Sequence, residues 1–302
     1  MRRSAFVAAS LLVALLGVFS PVAAAQTSQA KVVIIVGADT PQYIADANEL
    51  YAEAILHTPN VVRVYTPYAT WNAVRAATVG ANVVIYLGHG NGWPAPYPND
   101  PNYVSKDGFG LNTVPGAGGK NLTYYGEPYI HGGKIGSKDY GPGLQMAPNA
   151  IVFLFHLCYA SGNSEPGKPA PTLATAKTRA DNFGSAFLRA GASAVIADGH
   201  SHDPAYLRAL FTTGETLGEL WRGASSYRGH EIAFTPTRST GTAILDPDTS
   251  ASSPAGFYRS IVGNLSATTW GVIGRLQGLV IVPRREAGGA GLATMRMRGS
   301  AY

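Results

Sequence analysis

Two residues of this chain that could do chemistry together each follow an apolar run. His89 comes after the run at 83–87, and Cys158, the only cysteine among 302 residues, comes after the run at 151–155. Such runs are typical of strands that are buried on both faces of a parallel sheet. Because ligands bind at the carboxyl ends of parallel strands, the imidazole and the thiol would reach the same edge if the two strands are neighbours.

A thiol beside an imidazole predicts a cysteine nucleophile. An ordinary thiol has a pKa of about 8.5, so a nearby histidine is needed to raise the thiolate fraction or to accept the proton during attack. Gly90 would let the backbone approach a substrate closely, and the N–H groups of Gly90 and Cys158 could donate to an oxyanion. The alternatives are that Cys158 is a small buried hydrophobe and that His89 is a packed ring or an ordinary loop residue.

The N-terminal residues have the build of a secretory signal peptide. Arg2 and Arg3 precede an apolar run at 5–19 and a small-residue stretch ending at Ala25. This pattern predicts a signal peptide at 1–25 and a secreted or cell-envelope protein, with an uncleaved anchor as the alternative. In an oxidising compartment a lone cysteine is a dimer link, an inert buried residue or a reactive group.

The composition is that of a folded domain without an obvious charged partner. Hydrophobic residues make up 46% and charged residues 14% of the chain, which excludes a disordered, highly charged protein. The formal charge is +5, and several of the basic residues lie near the C-terminus. Because this excess of positive charge lies mainly near the C-terminus, it predicts neither a nucleic acid partner nor stable membrane insertion. The oligomeric state stays open.

Strand and helix patterns alternate along most of the chain. They predict one domain at 26–285, built on a mainly parallel sheet with helices on both faces. Residues 91–149, rich in Gly, Pro and Tyr, form a predicted long insertion, and 286–302 a flexible basic tail. A second loop is expected at 161–180, with Asp181 capping the helix that follows. Further strands are expected at 32–36, 61–65, 194–197 and 279–282.

The two strand-end motifs resemble those of the caspase-like cysteine peptidases, a group that includes caspases, metacaspases, legumains, gingipains and clostripain. The motifs here are VVIYLGHG at 83–90 and IVFLFHLC at 151–158. The segment at 185–197 is similar to the helix and strand that follow the cysteine in bacterial members, so the resemblance covers about residues 31–225. It implies a caspase-like three-layer α/β sandwich and a secreted thiol protease, a hydrolase that cleaves protein or peptide substrates without a cofactor.

The resemblance also implies a role for each residue of the site. Cys158 would be the nucleophile, His89 the general acid/base, and Gly90 with the Cys158 amide the oxyanion hole. One position departs from the family: metacaspases have Asp and caspases Gln two residues before the cysteine, where this chain has His156. No preference for the residue before the scissile bond is therefore carried over. The alternative function is a non-catalytic protein that binds a peptide or a glycan on the same scaffold.

Two further histidines, His200 and His202, follow the expected strand at 194–197. We expect them to line the substrate pocket together with His156, and Asp203 to cap the next helix. A zinc site at His200, His202 and Asp203 would need a converging partner such as His89 or His156. We expect no metal there.

Overall fold

The computed structural model describes residues 29–91, 107–118 and 121–274, which fold around an eight-stranded sheet. The predicted signal peptide, the expected strand at 279–282 and the basic tail lie outside the described residues. The strands are β1 (Val32–Val36), β2 (Val61–Tyr65), β3 (Val83–Leu87), β4 (Phe109–Asn112), β5 (Leu122–Tyr125), β6 (Lys134–Ile135), β7 (Lys138–Asp139), β8 (Ala150–Phe155), β9 (Ala192–Asp198), β10 (Ile232–Phe234), β11 (Thr242–Leu245) and β12 (Arg259–Gly263). The α-helices are α1 (Ile44–Ala54), α2 (Trp71–Thr78), α3 (Glu127–His131), α4 (Leu173–Arg189), α5 (Ala205–Thr212), α6 (Leu217–Arg222) and α7 (Thr269–Val272).

The large sheet is mixed, with a parallel part and an antiparallel part. Its order is β10-β11-β12-β9-β8-β3-β1-β2. The five strands from β9 to β2 run parallel to one another, whereas β12, β11 and β10 are added in antiparallel fashion. All residues of β1, β3 and β8 are buried, which explains why these strands are continuous apolar runs.

Helices cover both faces of this sheet. Successive side chains of a strand point to opposite faces, so Ile34 belongs to one hydrophobic cluster and Ile35 to another. The Ile34 cluster contains residues of α1, α5, α6 and α7, and the Ile35 cluster contains residues of α2, α3 and α4. The expected α/β architecture, a mainly parallel sheet between two helical layers, is confirmed.

Part of the expected insertion is regular and packs into the core. Within its described part, β4 pairs with β5, β6 pairs with β7, and α3 lies between the two hairpins. Phe109, Leu111 and Ile130 are fully buried in the Ile35 cluster. Tyr86 of β3 binds this region directly, because its hydroxyl accepts a hydrogen bond from the Gly110 N–H at 2.9 Å.

The prediction that Asp181 caps a helix after a loop at 161–180 is wrong. Helix α4 already begins at Leu173, where the Thr172 side chain accepts a hydrogen bond from the Thr175 N–H. Asp181 lies inside α4 and is buried, and its carboxylate accepts hydrogen bonds from three backbone N–H groups at 237–239. The Asp181 carboxylate therefore binds the loop at 237–239, not the N-terminus of α4.

Among the helices of the described ranges, none is long and apolar enough to cross a membrane.

Candidate active site

The strands that precede His89 and Cys158 are direct neighbours. Strand β3 pairs with β8 in parallel, with Leu87 opposite Phe155. His89 and Cys158 therefore leave the sheet at the same edge, two and three residues after these partners. Gly90 is in contact with the Cys158 backbone: a Cβ atom at this position would collide with the Cys158 carbonyl oxygen and lie 3.4 Å from the Cys158 nitrogen. The close approach of the two segments therefore requires glycine here.

The buried side chain of Tyr86 holds the backbone of His89. The Tyr86 hydroxyl lies 3.1 Å from the His89 carbonyl oxygen and 3.0 Å from the Gly110 carbonyl oxygen, and these two acceptors share its one proton. Burial raises the pKa of Tyr86, so the phenol stays protonated and remains a donor. Gly90 is buried, and its N–H donates to no oxygen among the residues that the structure describes.

Cys158 sits in a turn with two non-glycine residues in the left-handed region. His156 has φ 59° and Tyr159 has φ 73°. Such conformations cost about 1–3 kcal/mol each and accumulate at functional sites. The turn is held by the His156 N–H, which donates to the Asp198 carbonyl oxygen at 2.9 Å, and by the Arg179 guanidinium, 4.7 Å from the Tyr159 ring centre.

The environment of the Cys158 thiol favours its neutral form. The side chain is half-buried, and this burial, followed by the negative charge of Glu165, raises the thiol pKa. The N–H of Cys158 itself acts in the opposite direction, since it lies where it favours the thiolate. At rest the sulfur is therefore protonated, and a nucleophilic role needs a base that removes the proton during attack.

Cys158 opens into a cavity of about 490 Å³. Its walls include His156 and His200, together with Glu165 and Lys168 from the loop before α4. The other lining residues are Tyr43, Asn163, Ser164, Pro166, Gly167, Ala170, Pro171, Gly199, Gly256, Phe257 and Tyr258. Neither His89 nor His202 is among the described residues that line this cavity. The structure thus brings two of the three predicted pocket histidines to Cys158.

Asp198, which sequence reasoning did not identify, organises the loop that carries His200 and His202. One carboxylate oxygen accepts hydrogen bonds from the N–H groups of His200 and Ser201, at 3.1 and 2.9 Å. The other accepts a hydrogen bond from the Ser226 hydroxyl. The His200 ring then packs on Tyr258, with ring centres 3.7 Å apart. The sequence does offer one signal for Asp198, which is an acidic residue at the end of an apolar strand pattern.

His202 does not line this cavity and instead forms a cluster with His156 and Asp46. His156 Nε2 lies 3.2 Å from Asp46 Oδ2 and 3.4 Å from His202 Nδ1. Burial holds the pKa of His156 below its usual range, against the opposing charge of Asp46. These three residues are placed so that they could hold a metal ion.

The triad considered from the sequence, His200, His202 and Asp203, does not converge. Asp203 accepts hydrogen bonds from the Ala205 N–H at 2.8 Å and from Ser225. The N-cap residue of α5 is Pro204, so Asp203 binds the first N–H of this helix from the position before the cap.

No protein-family model matches this chain, and no curated protein sequence is significantly similar to it. The site combines a thiol in a strained turn, a histidine at the end of the neighbouring strand, a buried N–H that donates to no oxygen of the described residues, and an adjoining cavity. A nucleophile, a base and an N–H donor are the kinds of group that acyl transfer uses.

Proposed function

We propose that this chain is a secreted cysteine endopeptidase of the caspase-like type, which hydrolyses peptide bonds through Cys158 and His89. The observation that carries the proposal is the backbone contact between Gly90 and Cys158, at the ends of two adjacent parallel strands. Gly90 directly follows His89, so the contact brings the segment that carries His89 to the backbone of Cys158. The strained turn and the cavity beside Cys158 give further support.

In the proposed reaction, His89 accepts the proton of the Cys158 thiol as the sulfur attacks the carbonyl carbon of the scissile bond. The carbonyl oxygen becomes an oxyanion, which accepts hydrogen bonds from the N–H groups of Gly90 and Cys158. One such donor typically contributes about 3 kcal/mol to transition-state stabilisation. His89 then gives the proton to the leaving amine, and the C–N bond breaks.

The second half of the reaction regenerates the thiol. The first half leaves an acyl group bonded to the sulfur as a thioester. His89 deprotonates a water molecule, the water oxygen attacks the thioester carbonyl, and the Cys158 thiolate leaves and takes the proton back from His89. No cofactor is needed for either half.

The cavity beside Cys158 is the proposed binding site for the substrate. Its volume of about 490 Å³ lies within the range of pockets that enclose small organic ligands, so it suits one or two side chains of a peptide. His156 and His200 form part of its wall. We propose that both contact the substrate, whereas the placement of His202 outside the lining removes it from this role.

A second candidate is a non-catalytic protein that binds a peptide or a glycan in the same cavity. The raised pKa of the Cys158 thiol favours this alternative, because an inert cysteine that only packs in the structure also has a partly buried, neutral thiol. Tyr43 and Tyr258 would provide aromatic surface for such a ligand.

Turnover of a peptide library separates the two candidates. The library carries fluorogenic peptides that vary at the residue before the scissile bond, and the Cys158→Ala protein is the matched control. We expect cleavage by the wild-type chain and none above background by Cys158→Ala. Equal cleavage by both proteins would refute a cysteine mechanism, and retention of peptides by both without cleavage would favour the binding protein.

A further inference from the structure

We propose that Asp46, His156 and His202 form a binding site for one divalent transition-metal ion, with Zn²⁺ as the best match. The site goes beyond the peptidase proposal and does not depend on it, because Cys158 contributes no ligand. Its three residues come from separate parts of the fold: helix α1, the turn after β8 and the loop after β9.

The distances between the three ligand atoms fit a tetrahedral ion. Asp46 Oδ2 lies 3.2 Å from His156 Nε2 and 3.5 Å from His202 Nδ1, and the two nitrogens are 3.4 Å apart. A tetrahedral Zn²⁺ with ligands at about 2.0–2.1 Å has ligand-to-ligand distances of roughly 3.3 Å. Neighbouring ligands of an octahedral ion at the same metal–ligand distance would be about 2.9 Å apart. The observed triangle is close to the tetrahedral one on all three sides.

The second nitrogen of the His202 ring also has a partner outside the triangle. His202 Nε2 lies 3.1 Å from Glu49 Oε2, on the side of the ring opposite to Nδ1. The Asp46 carboxylate oxygen has only lone pairs to offer. A metal ion at the centre of the triangle would accept an electron pair from this oxygen and from one nitrogen of each histidine.

The surroundings of the triangle resemble those of a metal-ligating histidine. Such a histidine usually donates its second ring N–H to a carboxylate, which fixes the tautomer and the ring orientation. Glu49 is placed to do this for His202. The His156 ring is fixed by stacking on Tyr43, with centres 4.7 Å apart and planes 7° apart.

The ligand set determines the class of ion. Two imidazole nitrogens and one carboxylate oxygen suit zinc and other borderline transition metals, whereas Ca²⁺ and Mg²⁺ prefer oxygen ligands alone. Three protein ligands leave a fourth position for water or another small ligand. His156 belongs both to this site and to the wall of the Cys158 cavity, so the ion would fix one wall of that cavity.

Metal titration of the full, tag-free chain tests the proposal. After treatment with a chelator and dialysis, the protein is titrated with Co²⁺ and then with Zn²⁺, followed by visible absorption and calorimetry. We expect one equivalent of Co²⁺ with the intense visible bands of a tetrahedral site, displaced by one equivalent of Zn²⁺. The stoichiometric binding should be lost in His202→Ala and in Asp46→Asn.

The controls separate this site from other histidines and from the thiol. His200→Ala, in the same loop, and Cys158→Ala should each bind one equivalent with unchanged affinity, whatever the peptidase assay gives. Glu49→Gln leaves the three ligands in place and should bind Zn²⁺ about 10–100-fold more weakly. This variant keeps the test meaningful if a ligand variant does not fold.

Three results would overturn the proposal: no stoichiometric binding by the wild-type chain, equal binding by wild type and His202→Ala, or loss of binding in Cys158→Ala. In the first case the cluster is a hydrogen-bonded network that holds no ion. In the third case the ion sits at the thiol instead.

Discussion

Gly90 is the residue of the candidate site that tolerates the least change in size. A Cβ atom there would collide with the carbonyl oxygen of Cys158. We expect Gly90→Ala to cost about 1–3 kcal/mol of unfolding free energy, the usual range for overpacking, and to lower peptide turnover more than tenfold. Thermal unfolding and kcat/KM measure the two effects. Gly118→Ala is the matched control, since a Cβ atom at Gly118 meets no atom of the described residues within 4 Å.

A Gly90→Ala protein with the stability and turnover of wild type would contradict the role of this contact. The result bears on the peptidase proposal because the same glycine is the proposed first donor of the oxyanion hole. A change in stability without a change in turnover would keep the packing role and remove the catalytic one.

Asp46 shows what residue patterns alone do not reveal. It lies in the first turn of α1, where an acidic side chain is expected from helix electrostatics alone. Its partners His156 and His202 are more than a hundred positions away in the chain. Contacts of Asp46 with the segments that follow β8 and β9 bring the three together. The sequence pattern suggested only the local set of His200, His202 and Asp203, for which no metal was expected.

At the level of elements, the strands of the parallel part of the sheet could be predicted and the additional ones could not. Strands β1, β3 and β8 are buried on both faces and are therefore continuous apolar runs, which is a strong local signal. Strand β4 has the sequence FGLN, with a glycine and an asparagine at alternate positions. Its burial depends on contacts between Phe109 and the rings of Tyr86 and Phe187, which no local pattern encodes.

The antiparallel strands are joined to the parallel ones through a buried ion-pair network. Arg259 of β12 lies 3.4 Å from Asp198 of β9 and 2.8 Å from Asp246, and all three side chains are almost fully buried. Asp198 also accepts the hydrogen bonds that shape the loop with His200 and His202. The network therefore connects the stability of the sheet to the position of both histidines.

Asp198→Ala tests this connection. Removing one partner of a buried ion pair typically costs 3–5 kcal/mol, so we expect a loss of about 3 kcal/mol or more in the free energy of unfolding. Chemical denaturation measures it. Asp248→Ala is the matched control, because Asp248 and Arg228 are 3.7 Å apart and largely exposed, and such pairs contribute about 0–1 kcal/mol. Equal losses in the two variants would contradict the structural role of Asp198.

For the whole molecule, export is a prediction from residues 1–25, which lie outside the described part of the chain. If the signal peptide is cleaved as proposed, the mature chain begins at Gln26. Intact-mass spectrometry of protein recovered from the extracytoplasmic fraction of the producing cell checks this. A substitution of Ala25 by a bulky residue, which disfavours cleavage, is the control. Recovery of the complete 302-residue chain from the cytoplasm would contradict export.

The architecture as a whole agrees with the sequence-based expectation at the coarse level of an α/β sandwich. The two hydrophobic clusters on opposite faces of one sheet explain why helices and strands alternate along the chain. The position of the candidate site follows from the same alternation, because parallel strands end at a common edge. What the cavity accepts depends on the loops at 163–171 and 256–258, which are far apart in the chain.

In the proposed reaction, Cys158 attacks peptide carbonyl carbons with the help of His89. Peptidyl acyloxymethyl ketones capture such a nucleophile covalently, because the sulfur displaces the carboxylate group of the reagent and forms a thioether. Intact-mass spectrometry and peptide mapping should find one adduct, on Cys158, in the wild-type chain. They should find none in Cys158→Ala and a rate of formation lower by about 10²-fold or more in His89→Ala. Modification that needs denaturation, or that proceeds at the same rate without His89, would contradict the proposed roles of Cys158 and His89.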